Sequence, residues 1–180
     1  MSDDRLGADQ PRLVVGGPPE NVDRVPMTPA MTAASESDIR AAEGITAISM
    51  TRGPCFGTCP AYRLDLRSAG DAVFVGEAFV RANASLRGRL APMEFARLAL
   101  LVQELRFFHM DDLYLGNVDP PGLRIAVERD GTTKTVTGEG GGGPIELWTI
   151  GQLIDFTGRQ IAWDVSGLDP REFPWPTRDE

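Results

Sequence analysis

Hydrophobic and polar residues alternate most clearly over Tyr62, Leu64 and Leu66, which are separated by Arg63, Asp65 and Arg67. A repeat of two predicts a strand with one face buried and the other charged and wet. Ile45 to Thr51, with branched and small residues in turn, predicts a strand before it. Ala72 to Val80 predicts one after it, with Gly76 marking a bulge or a close approach. Ser68-Ala69-Gly70-Asp71 supplies the turn between the second and third strands.

The period then lengthens. Phe95, Leu98, Ala99, Val102 and Leu105 fall on one face of a helix that opens at Pro92, a residue suited to a first helical position. Phe107-Phe108 is expected to end that helix against the core. Alternation returns at Leu123, Ile125 and Val127, and Asp130-Gly131 predicts a hairpin leading to a strand at Thr132 to Thr137. After the glycine run Gly138 to Gly143, a second helix starts near Pro144, with Leu147, Ile150, Gly151, Ile154 and Ile161 on its inward side. Gly151 and Gly158 would let that helix lie close to its neighbour.

The predicted order is β-β-β-α-β-β-α. Helices that follow antiparallel hairpins pack most simply on one face of one sheet, so the expected class is α+β with an antiparallel sheet. Residues 1–44 show no hydrophobic period and contain Pro18-Pro19, Pro26 and Pro29, so they read as a disordered tail. Residues 45–165 form the expected domain, and 166–180, with Pro170, Pro174 and Pro176, an irregular tail.

Composition narrows function mainly by exclusion. Of 180 residues, 42% are hydrophobic and 24% charged, which is ordinary for a globular chain. The net charge is −8 and the basic residues are interspersed with acids, which speaks against nucleic acid as a partner. Arg81, Arg87 and Arg89 read as a solvated basic loop. Residues 1–30 hold no apolar run longer than Leu13-Val14-Val15, short of an export signal, and no segment is apolar enough to span a membrane. The expected compartment is the cytoplasm, where thiols stay reduced.

The chemistry-bearing segment is Arg52-Gly53-Pro54-Cys55-Phe56-Gly57-Thr58-Cys59-Pro60-Ala61-Tyr62, which holds both cysteines. Their spacing admits a tight disulfide, half a metal site, or a stiff packed turn. The run Arg52-x-x-Cys55-Phe56-Gly57-x-Cys59-Pro60-x-Tyr62 resembles a bacterial family of domains of unknown function. Looser matches follow at Phe107-Phe108, Asp112, Tyr114, Asp119-Pro120, the helix from Pro144 to Ile154-Asp155, and Trp163. The resemblance covers roughly residues 45–163 and brings no activity with it. Members that look exported or lipid-anchored leave an exported location open for this chain.

Each candidate site has a plainer structural reading beside it. Redox-active cysteine pairs sit two residues apart at a helix start; here three residues intervene and Pro60 opens a strand. Zinc would have to use Cys55, Cys59 and His109, with Asp111 or Asp112 or a second copy completing four ligands. His109 is the only histidine, placed where an imidazole suits a helix C-terminus better than catalysis. Asp111, Asp112, Asn117 and Asp119 lack the ligand order of a calcium loop. Gly138 to Gly143 lacks the lysine and hydroxyl of a phosphate loop and reads as a flexible connector. The expectation is therefore a noncatalytic module without cofactor that binds a small ligand or protein through one sheet face or through Cys55, Phe56, Gly57, Cys59 and Tyr62. The competing expectation is a thiol-disulfide or metal-binding protein built on the cysteine pair.

Overall fold

In the computed structural model the described residues are 42–80, 84–117 and 121–166. All of them fall within one compact unit, Ala34–Glu180. Most of the predicted N-terminal tail, Arg81, Asp119, Pro120 and nearly all of the C-terminal tail lie outside the described residues.

Four strands come first: β1 (Ile45–Arg52), β2 (Ala61–Arg67), β3 (Asp71–Ala78) and β4 (Ser85–Arg89). Helix α1 (Pro92–Glu104) and a single 3-10 turn (Phe107–His109) lead to β5 (Leu113–Leu115). Then come β6 (Leu123–Arg129), β7 (Thr132–Glu139), helix α2 (Ile145–Gly158) and β8 (Ala162–Trp163). The described strands make one eight-stranded sheet in the order β5-β7-β6-β1-β2-β3-β4-β8.

The class is α+β, but two expectations need correction. The sheet is mixed, because β5 runs parallel to β7 while the other pairs are antiparallel. It also holds three strands absent from the predicted order. Ser85–Arg89, expected as part of a solvated basic loop, pairs along β3 with Leu86 facing Phe74, and its charged positions point to the wet face. β5 and β8 are three and two residues long, too short to show a period of their own.

Period two sorts the strands as expected. Ile48, Met50, Leu64, Leu66, Phe74, Leu123, Ile125, Val127 and Val136 turn to one face and are buried. The register sets Met50 beside Leu64 and Ile125, and Leu64 beside Phe74, so these side chains form continuous rows. Phe95, Leu98, Ala99 and Val102 of α1, with Leu147, Ile150 and Ile154 of α2, belong to the same cluster. Each large side chain so buried contributes about 1.5–3 kcal/mol relative to exposure.

Turn chemistry fixes the ends. Asp130 and Gly131 adopt φ of 51° and 74°, as a two-residue hairpin between right-twisted strands requires. The register between β2 and β3 shifts beside Gly76, where Ala61 faces Ala78 but Tyr62 faces Gly76. Ala42–Gly44, counted with the tail in the sequence reading, form a turn whose Ala42 joins the core. Ile161, expected on the second helix, is buried beyond its end, because α2 stops at Gly158. No described helix is long and apolar enough to cross a membrane.

Candidate functional site

Arg52 closes β1 and Tyr62 lies at the start of β2, and the two are register partners. Both occupy inward-facing positions of the strand alternation, so a guanidinium and a phenol enter the core beneath α2. Charge in such a place needs a partner. Asp155 of α2 provides it: Arg52 Nε donates to Asp155 Oδ2 at 3.0 Å and Nη2 donates to the same oxygen at 2.6 Å. Arg52 Nε also reaches the Tyr62 hydroxyl at 3.2 Å, and that hydroxyl donates to Asp155 Oδ1. No buried side-chain polar atom among the described residues lacks a partner.

One helical turn before Asp155, Gly151 explains how the helix comes this near. A Cβ there would stand 2.9 Å from Leu123 Cδ2 and 3.5 Å from Arg52 Nη2. Burial, then the facing Asp155 charge, drives the Tyr62 pKa well above the usual tyrosine value. For Arg52 burial pulls downward, but the charge of Asp155 and its hydrogen bond outweigh it, leaving the guanidinium firmly protonated.

Between these two anchored residues runs the cysteine loop. Cys55 and Cys59 are joined as a disulfide with their Cα atoms 5.7 Å apart, which selects the bridge from the readings the spacing admitted. Gly53 N donates to Gly122 O at 2.8 Å and ties the base of the loop to the start of β6. The cysteines are half-buried, whereas Pro54, Phe56, Gly57, Thr58 and Pro60 are exposed. Phe56 is 97% exposed. No charged residue occurs between Arg52 and Arg63.

The other candidates stand elsewhere or are already engaged. His109 ends the 3-10 turn and lines a cleft of about 340 Å³ with Arg106, Met110, Tyr114 and Glu146. It does not cap α1, which ends at Glu104 before Arg106 turns to a φ of 58°. Asp112 accepts from Lys134 Nζ, and Asp111 N donates to the Tyr114 hydroxyl at 2.9 Å. Cys55, Cys59 and His109 are not brought together, and among the described residues no three His, Cys, Asp or Glu side chains gather to hold a metal. A bridged pair also offers no thiolate to zinc.

The glycine run is a packed turn rather than a flexible connector. Gly142 N donates to Glu139 O at 2.9 Å, and Trp148 Nε1 donates to Gly142 O at 3.1 Å. A Cβ on the facing Gly116 would lie 1.9 Å from Gly140 O.

Of the predicted site residues, the structure sets Cys55, Phe56, Gly57, Cys59 and Tyr62 on one loop and its strand margin. Nothing in the linear pattern of the chain pairs Arg52 with Asp155. The available signal was a carboxylate adjoining Ile154 and four residues after Gly151, on the buried side of an apolar helix.

The model of the family described as Domain of unknown function (DUF6438) matches residues 46–157, a span that contains Arg52, the cysteine loop, Tyr62 and Asp155. No curated protein matches the chain.

Proposed function

We propose that this chain, which belongs to the DUF6438 family of domains of unknown function, is a noncatalytic binding module that presents Gly53–Pro60 to a protein partner. One observation carries the reading: an uncharged, solvent-exposed loop is closed on itself by a disulfide and held at its margins by Arg52 and Tyr62. Fixing an exposed aromatic residue in a small ring lowers the ordering entropy that binding must overcome.

The buried polar groups support the noncatalytic part. Arg52, Tyr62 and Asp155 spend their hydrogen bonds on one another, and a phenol with a raised pKa is a poor base near neutrality. While bridged, the sulfurs offer no nucleophilic thiolate.

A photo-crosslinking residue introduced at position 56, against one at the exposed Thr133, tests this reading. Crosslinking to one protein at position 56 only, with Phe56→Ala weakening that purified complex about tenfold, supports it. Equal crosslinking at both positions overturns it, as does crosslinking to lipid in place of protein.

A further inference from the structure

We propose that the cleft between the end of α1 and the start of α2 binds a free amino acid with an apolar side chain. The cleft shares no residue with Gly53–Pro60, so the inference goes beyond the reading of that loop and does not rest on it. Four ionisable side chains line it: Glu104, Arg106, His109 and Glu146. Among the described residues, none of these four side chains makes a hydrogen bond or an ion pair. Two of them also stand where local physics disfavours them. Arg106 follows α1 at φ 58° and ψ 32°, a left-handed conformation that glycine usually takes after a helix. Glu104 is the last residue of α1, where the negative end of the helix dipole opposes a carboxylate, and the last turn holds no basic residue. Locally unfavourable residues that line one cleft together are the pattern of a functional site.

The lining sets the chemistry of the ligand. Arg106 and His109 offer N–H donors to a carboxylate, and Glu104 and Glu146 offer oxygens to an ammonium group. A bare anion would meet the two glutamates and a bare cation would meet Arg106, so a ligand carrying both charges fits best. Leu105, Met110, Pro144 and the ring of Tyr114 supply an apolar wall for its side chain. Met110 is buried, and the Tyr114 hydroxyl accepts from Asp111 N at 2.9 Å, so part of that wall is set before binding. At about 340 Å³ the cleft lies at the small end of ligand sites, about 300–1,000 Å³, which suits a single amino acid.

Isothermal titration of the full chain with L-leucine and with L-phenylalanine tests the proposal. The N-acetyl and amide derivatives of each serve as probes lacking the ammonium and the carboxylate. Saturable binding of at least one free amino acid is expected, weakened about tenfold by blocking either group and by Arg106→Gly or Glu146→Gln. Arg106→Gly also separates binding from folding. Relief of the left-handed conformation should raise the thermal midpoint by about 2–4 °C while binding falls. Absence of saturable binding at millimolar concentrations overturns the proposal, as does a blocked derivative or a variant that binds as well as its parent. A midpoint that fails to rise in Arg106→Gly overturns it too, since the arginine would then serve the fold. None of these results bears on crosslinking at position 56, so the two readings fail separately.

Discussion

Arg52 and Asp155 lie 103 residues apart in sequence and meet through two hydrogen bonds from Nε and Nη2 to one carboxylate oxygen, at 3.0 and 2.6 Å. Both side chains are 12% exposed, so the pair stands largely apart from solvent. It joins the end of the central strand to the helix laid over it, and Tyr62 makes the third member.

Removing one member should cost more than removing both. Asp155→Ala leaves a guanidinium buried without its partner and is expected to lower stability by about 3 kcal/mol. The double variant Arg52→Met, Asp155→Leu should lose clearly less. Urea denaturation of Arg52→Met, Asp155→Leu and their combination gives the coupling, and additive losses would show that the pair is not coupled.

Tyr62 predicts an alkaline effect of definite sign. Its pKa is raised in the folded state, so the native protein holds this proton more tightly than the unfolded chain. The resulting stability is present in full below about pH 10, the ordinary tyrosine value, and declines as pH rises beyond it toward the folded-state pKa. Stability of the wild type measured against Tyr62→Phe should therefore fall with pH above that point. The phenolate absorbance difference between the two proteins should appear only at higher pH than in the unfolded chain.

Gly116→Ala should be strongly destabilising although the residue is exposed. The added Cβ would meet the backbone oxygen of Gly140 at 1.9 Å, and Gly142 N at 2.6 Å, neither of which can rotate away. A loss of about 2–3 kcal/mol is expected by thermal or urea unfolding, the cost of forcing a packed turn apart.

Severing the disulfide should cost a similar or slightly smaller amount. A ring of five residues, from a sequence separation of 4, constrains the unfolded chain by about 2 kcal/mol. Cys55→Ser with Cys59→Ser is expected to lower stability by that amount and to leave unfolding cooperative, as followed by circular dichroism.

The elements with strong periods were legible in the sequence: β1 to β3, the β6–β7 hairpin and the inward faces of both helices. What escaped has a common cause. Ser85–Arg89 offers only Leu86 as a buried hydrophobic, and its pairing is fixed by β3 on one side and Trp163 on the other. β5 is a strand only because β7 lies alongside it. In the candidate site the cysteine loop was evident because its residues are contiguous, and the contact between Arg52 and Asp155 was hidden because it forms only once α2 has docked. Gly151 and Asp155 share one side of α2, the trace that such a contact leaves in sequence.

The place of β1 in the sheet shapes the order of events during synthesis. One neighbour, β2, follows it after a short loop, but the other, β6, begins 71 residues after Arg52 (123 − 52). At ribosomal speeds of about 5–20 residues per second that interval is about 4–14 s. For that time the nascent meander carries an apolar strand with one unsatisfied side, open to annealing with another chain. Recombinant yield should therefore respond more to translation rate and chaperone supply than the equilibrium stability of the finished fold would suggest.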